Sequence, residues 1–244
     1  MSRKSMVSVV VFLVIFIPSN DTFTLSSVRK VHATPHDYKK VLLELIETFR
    51  REMAHGFPQQ QIPALDPFAW KRFHVGMSND NTIKFNAVLM DGTTRGLSLF
   101  KIHDLDVQIQ KQLVNFHVVF PSVKTDGRYA AKGELAGFVP FDRAGKYSLQ
   151  LSALALQGSI RYGQWKNRFY IRNITAIPFV KSALVNLDKS SPWKAYLLNR
   201  IVSKQIPAYL RNNRHSIAKQ IESTVKPKLN EILFNYGINN ILQT

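Results

Sequence analysis

The sequence predicts an α+β fold: a long, strongly curved antiparallel sheet wrapped around a long C-terminal α-helix, with an N-terminal amphipathic helix and an internal apolar tunnel. Three observations predict it. Near both chain ends apolar residues recur at helical spacing. Between them, from about residue 72 to 187, apolar and polar residues alternate at period two. Glycines at 92, 96, 127, 133, 137, 145, 158 and 163 punctuate that stretch as a meander would require. An apolar sheet face of this length must be covered, and the terminal helices are the elements available to cover it. A curling sheet does not close tightly on a cylinder, and the tunnel is the space left over.

Residues 1–24 read as a signal peptide. Arg3 and Lys4 form a short basic region, Val7 to Ile17 is an apolar run broken only by Ser8, and Pro18-Ser19-Asn20 ends it. Such a run is about half the ~20 residues that span a bilayer, but it suits a secretory leader. Cleavage is expected between Ser19 and Thr24; an uncleaved anchor is the alternative. The rest, residues 25–244, reads as one domain, because no composition break divides it. A secreted, extracellular monomer is the expectation.

The first structural element begins at Thr34, an N-cap, with Pro35 in the first helical position and Asp37 at capping-box-like spacing. Tyr38, Val41, Leu42, Leu45, Ile46, Phe49 and Met53 then form one stripe, opposed by Lys39, Lys40, Glu44, Glu47, Arg50 and Arg51. Gly56 ends the helix. The segment from Phe57 to Phe68 carries three prolines, which force an extended strap whose Ile62, Leu65 and Phe68 can bury.

In the sheet region Ile83, Phe85, Ala87 and Leu89 alternate with polar residues. So do Phe116, Val118 and Phe120, and later Tyr147, Leu149, Leu151 and Ala153. Each strand therefore has one apolar and one wet face. After Ser190-Ser191-Pro192 the period becomes helical again. Leu197, Leu198, Ile201, Val202 and Ile206 make one stripe, interrupted at Pro207, and Leu210 to Leu233 continue it past a kink at Pro227, until Gly237.

Chemistry is sparse. Cysteine is absent, which removes thiol catalysis, cysteine-type zinc and iron–sulfur clusters, and leaves packing alone to hold the domain. There is no Gly-x-Ser-x-Gly elbow and no His-Glu-x-x-His helix. Around Ala144-Gly145-Lys146-Tyr147 the earlier glycine and following Ser/Thr of a phosphate loop are missing. His103-Asp104-Leu105-Asp106 gathers three ligand types, but strand alternation sends Asp104 and Asp106 to the face opposite His103. No enzyme, metal or cofactor is expected.

The chain carries 33 Lys+Arg against 16 Asp+Glu, a formal net charge of +17. Removing the leader takes only Arg3, Lys4 and Asp21, so the field persists and favours anionic partners. The basic residues are scattered, as on a solvated surface. Arg161, Lys166, Arg168 and Arg172 interleave with Tyr162, Trp165, Phe169 and Tyr170, the letters of a nucleic-acid stacking platform. A strand with buried aromatics and wet cations gives the same letters, and the leader favours it; no nucleic-acid partner is expected. Asn173-Ile174-Thr175 is an N-glycosylation sequon, as is Asn20-Asp21-Thr22.

Ile62-Pro63-Ala64-Leu65-Asp66-Pro67 resembles the I-P-x-L-D-P segment of the insect takeout and juvenile-hormone-binding family. Gly127-Arg128-Tyr129-Ala130-Ala131-Lys132-Gly133 resembles its G-x-Y-x-x-x-G strand, and Gly137-Phe138-Val139-Pro140-Phe141 its apolar-proline step. The tail from Leu210 to Leu233 is similar to its terminal helix. The likeness spans nearly all of residues 25–244. It implies a tubular lipid-binding fold and a carrier of juvenile hormone, another terpenoid or a fatty-acid-like lipid. The family's N-terminal cysteine pair is missing here. In its P-I-x-G-x-G pattern Pro140, Phe141 and Gly145 fit, but Arg143 stands where the first glycine should be, and an arginine near a cavity mouth would change ligand choice. The expected ligand-binding residues are Tyr129 first and Tyr147 second, as hydroxyl anchors, with Phe116, Val118, Phe120, Leu149 and Leu151 from the sheet and Leu45 and Phe49 from the first helix. The alternative function is a basic protein that docks on anionic membrane or microbial lipid.

Overall fold

The structure, a computed structural model, describes residues 35–56, 63–79, 83–135, 139–165, 168–187 and 192–235. The expected leader, Asn20, Thr34, Phe57 to Ile62, Gly137, Phe138, Lys166 and Gly237 lie outside the described residues.

Helix α1 spans Pro35–Glu52. It closes where the Gly56 N–H donates to the Glu52 carbonyl at 2.8 Å, with Gly56 at φ 74°, a conformation that glycine adopts without steric cost. The end of the strap is pinned on both sides. The Leu65 N–H donates to the Met53 carbonyl at 2.7 Å, and the Asp66 carboxylate accepts from the Gly96 and Ser98 N–H groups at 2.9 and 2.8 Å. Asp66 thus ties the first helix to the turn that leaves the second strand.

Six antiparallel strands follow: β1 (Phe68–Asn79), β2 (Ile83–Arg95), β3 (Lys101–Gln108), β4 (Leu113–Leu135), β5 (Val139–Trp165) and β6 (Arg168–Leu187). The sheet order is β1-β2-β4-β5-β6. β2 and β3 lie end to end along one edge of β4, β2 pairing with residues 124–135 and β3 with residues 113–119. A bulge between Met90 and Thr93 in β2, where Asp91 sits at φ 49°, bends that strand.

Most of the glycines expected at turns are inside strands. A methyl group at Gly158 would fall 1.8 Å from the Thr175 carbonyl oxygen, and one at Gly133 would fall 2.2 Å from that of Lys84. These glycines permit neighbouring backbones to approach closely, and β4 and β5 run through them for 23 and 27 residues. Gly96, at φ 90° just past β2, does turn the chain.

One long C-terminal helix broken at Pro207 is the expectation; the structure has two helices, and Pro207 is inside the first. α2 spans Pro192–Asn212 and α3 spans Arg214–Asn235. Proline fits helical φ and merely withholds the N–H that would reach the Ser203 carbonyl. The break falls at Asn213, whose backbone N–H and side-chain amide both donate to the Tyr209 carbonyl, at 3.0 and 2.9 Å. Both helices pack on β6. The main core lies between sheet and helices at the α1 and α3 end, where Val123, Leu154, Leu210, Ile217 and Ile221 are almost wholly buried. β6 switches its outer hydrogen-bonding edge to helix side chains. Its Val185 and Leu187 N–H groups donate to Ser203 Oγ and Asn199 Oδ1 at 2.9 and 3.0 Å. Asn230 takes the Ile171 N–H at 2.6 Å and donates to its carbonyl at 3.1 Å.

Candidate ligand cavity

At the α2 end the layers do not meet. A cavity of about 130 Å³ remains there, its wall almost wholly apolar. Val75 of β1, Phe85, Ala87 and Leu89 of β2, and Tyr129 and Ala131 of β4 form one side. Phe141, Arg143, Tyr147, Leu149 and Leu151 of β5 and Val185 and Leu187 of β6 continue it, and Leu198, Val202 and Ile206 of α2 form the roof.

Register explains the space. Val75 pairs with Ala87, Ala87 with Ala131, and Ala131 with Arg143, so two facing alanines sit in the middle of one row across the sheet. Rows on either side carry Phe85 with Phe141 across Gly133, and Leu89 with Tyr129. Large residues thus flank the two facing alanines. In β5 the alternation is regular: Pro140, Asp142, Ala144 and Lys146 are exposed, and Phe141, Arg143 and Tyr147 turn inward. Phe85 and Phe141 also border an open polar depression with Lys84, Lys132 and Asp142, which marks their end of the cavity as the solvent end.

Two tyrosines and Arg143 line this wall, although almost no polar surface faces the space. Tyr129 is 5% and Tyr147 7% exposed. The Tyr147 ring lies beside Gly127, where a methyl group would come within 3.0 Å of it. Its buried hydroxyl has no hydrogen-bond partner among the described residues. Burial, with a smaller effect from Asp126, pushes its pKa well above the ordinary tyrosine value. Such a group is costly to leave unmet.

The sequence-predicted site residues divide into two groups. Tyr129, Tyr147, Leu149 and Leu151 come together on the cavity wall. Phe120 is buried in the main core, its ring 5.9 Å from that of Phe100, and Phe116, Val118 and Phe49 pack against the same core. Leu45 lies on α1, and its side chain is outside the described residues. Leu151 is followed inward by Leu154 rather than Ala153, because Ala153 has φ 49° and shifts the alternation. Missing from the sequence reading are Ala87 and Ala131 as space-makers and Leu198, Val202 and Ile206 as the roof. Their roles depend on register and on which helix covers which half of the sheet, and period alone carries neither.

Other sequence motifs resolve differently. A register shift between Ile102 and Asp104 leaves His103 and Asp104 both exposed, so the alternation expected there fails. Asp106 instead accepts from Gln108 and Asn115 at 2.6 and 3.1 Å. No metal-binding cluster occurs among the described residues. At the β5–β6 hairpin, Tyr162 and Phe169 pack together at 5.8 Å, but Trp165 and Tyr170 are exposed, contrary to the buried-aromatic expectation. The Asn173 amide nitrogen donates to Glu222 of α3 at 2.8 Å. No helix among the described residues is long and apolar enough to cross a membrane.

Comparison with known proteins places this geometry. Residues 9–243 match the family model described as haemolymph juvenile hormone binding protein. Among solved structures the chain is similar to Takeout 1 of Epiphyas postvittana, with a TM-score of 0.56 and 17% identity over 78% of this chain and 90% of that one. At this identity the likeness is one of fold. A lipopolysaccharide binding protein matches at a TM-score of 0.41 and 10% identity over 81% of this chain and 39% of that one. No curated protein sequence matches the chain.

Proposed function

The chain belongs to the haemolymph juvenile hormone binding protein family, and from that premise we propose that it is a secreted, non-enzymatic carrier of one small apolar ligand. The ligand occupies the space between the sheet and α2 and is held by burial of its apolar surface, at ~25 cal/mol per Å². The observation that carries this reading is the unmet Tyr147 hydroxyl in an otherwise apolar wall. It supports a ligand with at least one oxygen, whether of a terpenoid ester or epoxide or of a lipid chain. At about 130 Å³ the cavity is below the ~300–1,000 Å³ typical of small-molecule sites. An elongated ligand therefore enters by displacing α2 from the sheet and opens the space into a tunnel.

Native mass spectrometry of chain secreted from a eukaryotic host, followed by solvent extraction, tests the proposal. A stoichiometric apolar passenger is the expected result. The Ala131→Leu variant should fold normally, because it fills existing space, and should emerge empty. An empty wild-type chain that also refuses a fluorescent fatty acid and a juvenile-hormone analogue would sink the carrier reading.

A second reading has its own observation. Trp165 is 66% exposed at the β5–β6 hairpin, near the exposed Tyr170, Arg161 and Arg172. An aromatic residue among cations suits docking on an anionic membrane surface. Co-sedimentation with anionic vesicles, lost on Trp165→Ala, would support it.

A further inference from the structure

We propose that Trp70 of β1 selects the ligand by shape: it confines the inner half of the cavity to a slot that takes one slender chain and turns away a broad, fused-ring ligand. The inference rests on the carrier reading and narrows it to a ligand class. One row across the sheet carries it. Trp70 pairs with Gly92, Gly127 with Tyr147, and Tyr147 with Leu187. Gly92 and Gly127 lie side by side, since a methyl group on Gly127 would fall 3.1 Å from the Gly92 Cα. The middle of the row thus has no side chains of its own. A methyl group on Gly92 would collide with Trp70 Cζ2 and Cε2, so the indole ring occupies the space that a side chain there would take. The Trp70 ring N–H donates to Thr94 Oγ1 at 3.2 Å, and Thr94 Oγ1 lies 3.0 Å from Thr125 Oγ1 in the buried interior. The ring is held from within the sheet, and displacement of α2 leaves that bond in place.

The lining of the cavity changes at this row. On the solvent side of it β1, β2 and β4 all contribute, through residues such as Val75, Ala87 and Ala131. On the inner side the described lining residues are Leu149 and Leu151 of β5, Val185 of β6 and Ile206 of α2, and none comes from β1, β2 or β4. Their place in the next row is taken by Phe68, Thr94 and Thr125, which are all buried and pair in turn toward Leu149. Trp70 stands at the corner. It packs against the cavity-side cluster of Val75, Ala87 and Tyr129 and also against the main core, so space vacated by its ring would adjoin the cavity. The site is broad at the solvent end and narrow within. A close-packed wall rejects excess volume, and a wall with almost no polar surface leaves shape as its main means of choice. A linear terpenoid or acyl chain passes the slot. A rigid sterol, broad along its whole length, meets the Trp70 ring.

The test compares a fluorescent polyene fatty acid with a fluorescent sterol on the full secreted chain. The wild type should bind the fatty acid at least ~10-fold more tightly, the usual penalty for overfilling a packed wall. Trp70→Ala should raise sterol affinity by ~10-fold or more and leave fatty-acid affinity within about threefold. Trp70→Leu keeps apolar bulk but puts no ring over Gly92; it is the second variant if the alanine chain does not fold, and it should show the same gain in smaller measure. A gain of one ligand with the other retained is not what a loosened core produces. Equal wild-type affinity for the two probes overturns the shape assignment and leaves the carrier reading standing. Failure of both to bind the wild type overturns the carrier reading itself. A Trp70 variant that melts cooperatively and gains no sterol affinity overturns the role given to Trp70.

Discussion

At the scale of single residues the cavity sets stability against function, and Tyr147 is where the two meet. A buried hydroxyl without a partner costs on the order of 1–3 kcal/mol. Tyr147→Phe should therefore stabilise the ligand-free chain, by about 1 kcal/mol in urea titration, while weakening any ligand whose oxygen uses that hydroxyl. A destabilised ligand-free variant would mean that the hydroxyl is satisfied after all. The same residue predicts a response to alkali. Its folded pKa is raised above the ordinary value of 10.0. The unfolded chain thus releases this proton first, the folded state binds more protons, and stability falls as pH rises through 10 and beyond. Denaturant midpoints measured from neutral to strongly alkaline pH should show that fall in the wild type and a smaller one in Tyr147→Phe. Tyr129 was legible as a candidate through the G-x-Y-x-x-x-G resemblance, and Tyr147 because it falls on the apolar phase of its strand. That the inner one lacks a partner was not legible, since a partner is a matter of which side chains converge from other elements.

At the scale of elements the vulnerable part is the outer edge of β6. Helix side chains satisfy it where another strand would otherwise pair, which blocks edge-to-edge association. Asn230→Ala leaves the Ile171 N–H and carbonyl without their helix partner. The expected result is a loss of ~1–3 kcal/mol in urea titration and a shift toward larger species in size-exclusion chromatography. An unchanged midpoint would show that water replaces the cap at no cost. α1 was readable in the sequence almost to the residue, because proline, stripe and terminal glycine agree there. The alternation that marks strands was readable too, but strand length was not. Gly127 and Gly133 in β4 and Gly158 in β5 read as turns when they are places of close backbone approach, and Gly145 and Gly163 also lie within β5. Pro207 likewise reads as a break, whereas Asn213 provides it. In each case one letter has two physical uses, and the neighbouring element decides between them.

At the scale of the whole molecule the formal charge of +17 and the apolar cavity make separable demands on solvent. The inter-strand ion pairs of the described residues, such as Arg95–Asp126 at 3.1 Å and Lys132–Asp142 at 2.8 Å, lie on the surface. Acids are too few to offset the cations, so the molecule repels itself and attracts anionic surfaces. Screening shortens the reach of that field from ~10 Å at 0.1 M salt to ~3 Å at 1 M. Burial of an apolar ligand has no such dependence, and kosmotropic salts strengthen it. Two titrations across that salt range should therefore diverge. Affinity for a neutral ester should stay level or rise. Adhesion to anionic vesicles should fall steeply if the hairpin around Trp165 mediates it. Ester binding that collapses with salt would place the ligand on the charged exterior, and the cavity would then have to be read as packing left incomplete between the sheet and α2.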